Sequence, residues 1–257
     1  MNSCIKYNPS GRKFKHLLNL CDMLSIKRSL RIKNALLLLV LLLICGCSPI
    51  GKYRTEATSW EQDIHNFEQL DSVERYSKDA ILFTGSSSIR LWNTIGQDMS
   101  PYEVIQRGFG GAKWSDYVFY TKRIVYPHPV KAIVFYIGND IVGSPVDKKP
   151  GKVANLFQYV VKDIRRKYPE TPIFYIQVFP TGSRWNAWSK IQQGNEKIEK
   201  ISNKLHKVYF IHMSDYLVKS DGTANDSLFR SDHLHLNEAG YQVWTKVIKD
   251  ALEQIKQ

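Results

Sequence analysis

The stretch "ILFTGSSSIRLW", residues 81–92, sets three serines directly after a short apolar run. Serine hydroxyls satisfy loose backbone groups where a strand ends, so a polar turn accounts for the triplet by itself. A hydroxyl with a base beside it is also a nucleophile, and the chain holds a candidate base. "DHLH" at 232–235 separates Asp232 from His235 by three residues; in a helical turn that spacing brings both side chains to one side. The same residues, read as D-H-x-H, could suggest a metal site through His233 and His235. No third cluster of strong ligands accompanies them, and neither a metal nor another cofactor is expected. Two further polar stretches stand out, "QRGFGGAKW" at 106–114 and "GNDIVGS" at 138–144.

The elements that must position these residues are legible as periodicity. Five short runs are rich in β-branched and aromatic residues: "AILF" 80–83, "YEVIQ" 102–106, "KAIVFYI" 131–137, "PIFYIQVF" 172–179 and "KVYFI" 207–211. Amphipathic stretches alternate with them. Their apolar stripes are Trp60, Ile64 and Phe67, then Val153, Leu156, Val160 and Ile164, then Ile191, Ile198, Ile201 and Leu205. A last stripe, after Asn237, holds Tyr241, Trp244, Ile248 and Leu252. Near-continuous apolar strands alternating with helices predict a parallel sheet covered on both faces, a three-layer α/β/α sandwich with five strands. Each polar stretch then follows a strand, so all fall on one edge of the sheet, where ligands bind in open α/β folds.

Serine after strand one, a Gly-rich loop after strand two, Asn-Asp after strand three and Asp-x-x-His before the last helix resembles the SGNH (GDSL-like) hydrolases over residues 80–250. The resemblance implies a flavodoxin-like sheet and metal-free hydrolysis of acyl esters. "FTGSSSIRLW" is similar to the family's F-x-G-D-S-[LI]-x-x-x-W. Setting Gly85 and Trp92 on its Gly and Trp places the nucleophile at Ser87, with Ser86 in the usual Asp position; Ser88 is the alternative if the turn slips by one residue. "QRGFGG" resembles N-x-G-x-G-G, with Gln106 for the Asn and Gly111 as the donor of an oxyanion-hole N–H. "YIGND" resembles G-x-N-D, with Ile137 at the Gly position and Asn139 as the side-chain donor. In "DHLH", Asp232 and His235 match the remaining pair, and Leu236 replaces the usual Pro.

These residue types suit acyl transfer. A serine hydroxyl is a weak nucleophile at neutral pH, His235 would take its proton, and Asp232 would fix the tautomer and stabilise the imidazolium. The N–H groups of Ser87 and Gly111 and the amide of Asn139 would receive the oxyanion. After strand four, "PTGSRWNAWSKIQQGNEKI" at 180–198 offers Arg184, Trp185 and Trp188 as walls of a substrate groove; a helix start packing two tryptophans on the sheet reads the same letters equally well. Trp92 and Trp114 read as packing.

The N-terminal part reads as targeting. "ALLLLVLLLI", Ala35–Ile44, follows Lys27, Arg28, Arg31 and Lys33, the pattern of a secretory signal. Ten helical residues span about 15 Å, too short for a bilayer core. "ICGC" resembles a bacterial lipobox, making Cys47 the lipidated residue. The expected organisation is therefore a signal peptide over 1–46 (with Met23 as the start that gives an ordinary length), a lipidated tether over 47–56 and the hydrolase domain over 57–257. Residues 1–46 hold eight of the 36 Lys and Arg and one of the 24 acidic residues, so the formal charge of +12 falls to +5. Nothing in that balance suggests nucleic acid. Of Cys4, Cys21, Cys45 and Cys47 only the last would survive processing, which leaves no disulfide.

The expected function is a carboxylester hydrolase removing short acyl groups from an acylated small molecule or O-acetylated glycan, held at the bacterial cell envelope by a lipid anchor. A lysophospholipase or thioesterase with a longer acyl pocket is the first alternative. The second, of another class, is a catalytically silent glycan-binding lipoprotein.

Overall fold

A computed structural model describes Lys33 and residues 51–254. The chain divides into two units, Met1–Lys52 and Tyr53–Gln257, and every element below belongs to the second. The secretory stretch and Cys47 lie outside the described residues. Part of the expected tether does not: Arg54–Ala57 is helical, and Tyr53 and Ala57 are buried. The folded unit thus begins ahead of residue 57, because Tyr53, within the presumed linker, enters the core.

The five apolar runs form strands β1 (Ile81–Gly85), β2 (Val104–Gly108), β3 (Ala132–Tyr136), β4 (Ile173–Ile176) and β5 (Val208–Ile211). All pair in parallel, in the order β2-β1-β3-β4-β5. Burial follows position. Every residue of β1, β3 and β4 is buried, whereas the edge strands β2 and β5 each include two half-buried residues. Complete burial is therefore confined to strands with a neighbour on each side and a helix layer on each face.

The principal helices are α1 (Glu61–Val73), α2 (Ser87–Arg90), α3 (Trp114–Ile124), α4 (Pro150–Lys167), α5 (Trp188–Ser202) and α6 (Glu238–Glu253). The predicted stripes are the buried ones: Val153, Leu156, Val160 and Ile164 on α4, and Tyr241, Trp244, Ile248 and Leu252 on α6. Helix α4 opens with Pro150, whose missing N–H costs nothing in a first turn. The side chain of Asn237 accepts from the Gly240 N–H and starts α6. The step from β1 to β2 runs across the sheet opposite to the next three. Right-handed crossovers accordingly put α2 on one face and the side-by-side α3, α4 and α5 on the other. The reversal opens a crevice between the carboxyl ends of β1 and β3.

Candidate active site

Gly85 closes β1 at φ +138°, and a Cβ there would lie 2.0 Å from the Tyr136 carbonyl oxygen of β3. Only glycine allows the chain to pivot at this contact. Ser86 follows in extended conformation, its N–H donating to Tyr136 O at 2.8 Å, and Ser87 is the first residue of α2. The three serines now separate. Ser86 and Ser88 are buried, while Ser87 is half-buried, and its Oγ lies 2.9 Å from His235 Nε2. The turn does not slip: Ser88 instead offers its carbonyl to the Tyr241 hydroxyl of α6.

His235 is held from its other nitrogen. Its Nδ1 lies 2.7 Å from Asp232 Oδ2, while Asp232 Oδ1 accepts from the N–H groups of Leu234 and His235 at 2.9 Å each. The expected helical turn is not what aligns the pair. Residues 231–235 form a non-helical loop in which the carboxylate folds back on its own backbone, and His233 takes φ +52°. His233 Nδ1 faces Asp226 Oδ1 at 3.2 Å, away from His235. Burial would raise the Asp232 pKa, but the imidazole and the two backbone donors outweigh it and hold the carboxyl at about 2. An ionised Asp232 fixes the proton on Nδ1, leaving Nε2 free to accept from the Ser87 hydroxyl.

Beneath this line lies an aromatic floor. The Trp92 ring stacks on Tyr241 at 5.2 Å between centroids, and Trp244 meets Tyr136 at 4.8 Å and Phe179 at 5.9 Å. These rings come from the turn after α2, from β3, from the loop after β4 and from α6. Their packing fixes the serine turn against the C-terminal helix that follows His235. Trp92 and Trp114 are fully buried, as packing residues should be.

The ends of β2 and β3 flank β1 in register, Gly85 pairing with both Gly108 and Tyr136. Gly111 and Asn139 each follow three residues beyond those partners, on the same edge as Ser87. Gly111 sits at φ +74°. Among the described residues, neither the Ser87 nor the Gly111 N–H meets an acceptor. Asn139 Nδ2 donates to Ala112 O at 3.1 Å, which ties the β3 loop to the glycine loop and leaves its second N–H unspent. Gln106, at the position of the family's Asn, faces the protein: Nε2 donates to the carbonyls of Ile89 and Trp92 and braces the turn after Ser87.

The three residues expected to wall a groove part company. Trp185 is 43% exposed. Trp188 is half-buried against the core, the packing alternative. Arg184 is half-buried and turns its guanidinium to the β3 loop: Nη1 donates to Gly138 O at 2.9 Å and Nη2 to Asn139 Oδ1 at 2.7 Å.

Two residues near the site escaped sequence reasoning. Trp60, expected only as part of a helix stripe, precedes α1 and lies over the glycine loop, its ring atoms 3.2–3.3 Å from where a Gly111 Cβ would stand. Asp140 is buried; its Oδ2 accepts from the Trp114 N–H at the start of α3, and Lys148 Nζ stands 3.2 Å from Oδ1. Burial raises its pKa more than Lys148 and that N–H lower it. The Asn-Asp dipeptide was the available signal for Asp140. Nothing in the local sequence marks Trp60.

Comparison with known proteins agrees with this fold. The model of the GDSL-like Lipase/Acylhydrolase family matches residues 75–243. No curated protein matches the sequence. Among solved structures, a Streptococcus pneumonia protein provisionally described as a platelet activating factor is 23% identical. It superposes with a TM-score of 0.67 over 75% of this chain and 92% of that one. A GDSL-like lipase from Bacteroides thetaiotaomicron is 17% identical, with a TM-score of 0.64 over 75% and 98%. A carbohydrate esterase family 3 structure from Talaromyces cellulolyticus is 15% identical, with a TM-score of 0.53 over 69% and 97%. These likenesses are of fold. The family match spans well over half of the chain, which belongs to the GDSL-like lipase/acylhydrolase family of ester hydrolases.

Proposed function

We propose that this acylhydrolase is a serine-dependent carboxylesterase that removes short acyl groups, O-acetyl above all, from carbohydrate. The observation that carries the serine mechanism is the unbroken line Ser87 Oγ–His235 Nε2–Asp232, at 2.9 and 2.7 Å. Ser87 Oγ attacks the ester carbonyl while its proton passes to His235 Nε2, and Asp232 stabilises the resulting imidazolium. The carbonyl oxygen, now an oxyanion, is received by the N–H groups of Ser87 and Gly111 and the free N–H of Asn139. Collapse expels the alcohol, which takes the proton from His235 and leaves an acyl-serine. Water then repeats the sequence, and the carboxylate departs.

Carbohydrate is favoured by the exposed indole of Trp185, whose face suits a sugar ring, one residue from the clamp on Asn139. A carbohydrate esterase and an acetyl esterase among the structures of the same fold support the acyl length and the substrate class. The proposal also holds the enzyme at the cell envelope through lipid on Cys47, where glycans are encountered; metabolic labelling with a palmitate analogue, lost in Cys47→Ala, tests that part.

Hydrolysis of p-nitrophenyl acetate, butyrate and octanoate by the full chain, beside Ser87→Ala, tests the reading. Serine-dependent turnover favouring acetate supports it. A preference for octanoate replaces it with a lysophospholipase or thioesterase. No turnover by wild type, with no phosphonate labelling, replaces it with a glycan-binding protein.

A further inference from the structure

Arg184 lies in the loop after β4, inside the Gly182–Ala187 segment, at a backbone kink (φ −121°, ψ 19°). Its guanidinium is withdrawn from solvent enough for burial to lower its pKa, and no carboxylate pairs with it among the described residues. Withdrawing a cation from water without a counter-ion is unfavourable unless its donors are spent well. Here two of them are spent on adjacent residues of the β3 loop, Gly138 O and Asn139 Oδ1.

That pairing decides which way the Asn139 amide points. An asparagine amide can rotate by half a turn and exchange its oxygen for its nitrogen. In the observed orientation Oδ1 accepts from Arg184 and Nδ2 donates to Ala112 O at 3.1 Å. After rotation, NH2 would face the guanidinium N–H groups and Oδ1 would face the Ala112 carbonyl. Both contacts would become repulsive, one of them with a charged partner. The clamp therefore keeps the amide with its donors forward. The same loop reaches the other half of the site: the Ser183 N–H donates to His233 O at 3.1 Å, two residues before His235.

We propose that Arg184 is a positioning residue of the oxyanion site, locking Asn139 as a donor and setting a half-buried positive charge directly behind it. This rests on the reading of Asn139 as an oxyanion donor. A fixed cation behind a donor strengthens that donor most when negative charge develops in front of it, so the benefit belongs to the transition state. Arg184 touches neither substrate nor reacting atoms in this role. Its loss should lower kcat and leave KM almost unchanged.

The test is a double-mutant cycle in the full chain with p-nitrophenyl acetate, comparing wild type, Arg184→Met, Asn139→Ala and the pair. Arg184→Met is expected to lower kcat by about 10–100-fold, with KM within about threefold. In the Asn139→Ala background the same change should cost less than about threefold, because the group it positions is gone. Arg184→Lys keeps the charge but loses the rigid planar fork that holds Gly138 O and Asn139 Oδ1 together; a loss of about 3–30-fold in kcat is expected, and this variant carries the test if Arg184→Met does not fold. A rise in KM with kcat intact would make Arg184 a substrate contact and overturn the inference. So would equal losses from Arg184→Met in both backgrounds, or wild-type kcat in the Arg184 variants while Asn139→Ala is impaired. Wild-type kcat in Asn139→Ala would overturn the reading of Asn139, and the inference with it.

Discussion

The two halves of the site are held by different physics. The half with Ser87 and His235 stands on packed rings: Trp92, Tyr136, Phe179, Tyr241 and Trp244 join β3 and α6 to the serine turn, and all five are buried. The half with Gly111 and Asn139 is joined by polar contacts between loops: Asn139 to Ala112, Arg184 to Asn139 and Gly138, Asp140 to Trp114 and Lys148. Packing energy is large and serves the whole domain, so damage to the first half should appear as instability as well as lost rate. Hydrogen bonds between loops contribute modest net stability, so damage to the second half should appear chiefly as lost rate, with only small shifts in stability.

The largest effect sits at the reacting atom. Ser87→Ala is expected to lower kcat by about 10⁴–10⁶ with no loss of Tm, because a half-buried hydroxyl contributes little to folding. Trp244→Ala should cost about 3–5 kcal/mol in denaturant unfolding through the cavity left among four rings, with activity falling in parallel. Asn139→Ala should cost about 10²–10³ in kcat, and a Tm near the wild-type value would sharpen the contrast. If Asn139→Ala unfolds as readily as Trp244→Ala, the division into two kinds of support is wrong.

The smallest effect is one of pH on the polar half. Asp116, buried in the first turn of α3, accepts from the Lys113 N–H at 2.8 Å, yet burial foremost, with Asp140 adding to it, pushes its pKa up to about 6. A carboxyl raised above its ordinary value of 3.8 is most compatible with the fold while protonated. Its contribution to stability is therefore complete below about pH 4 and declines as pH rises through about 6. Asp116→Asn should flatten that decline in a Tm-against-pH series, gaining on wild type above pH 6 and not at pH 4. A gain that is the same at every pH would remove Asp116 as the cause.

The same contrast explains how much could be read in advance. The fold was legible because β1, β3 and β4 are buried on both faces and so are written as unbroken apolar runs, while α4 and α6 carry stripes at helical spacing. Ser87, Asp232 and His235 were legible because their neighbours set them: a glycine pivot before the serine, and a three-residue interval between the acid and the base. The conformation behind that interval was not, since Asp232 bonding to its own backbone leaves the same letters as a helical turn. The bonds of Arg184 to Gly138 and Asn139 were not legible because those partners lie more than forty residues away, and nothing local says which way a guanidinium turns. Trp60 was illegible for the same reason; its position over Gly111 is made by the packing of the N-terminal helices and not by its own stripe. Contacts made within a few residues leave a pattern, and contacts made across loops do not.

The most direct test of the central claim is identification of the residue that a fluorophosphonate modifies, by peptide mass spectrometry on the full chain. A phosphonyl adduct on Ser87, absent from Ser87→Ala and slowed in His235→Ala, is the result this structure predicts. An adduct on Ser88, or labelling of Ser87→Ala at the wild-type rate, would contradict it.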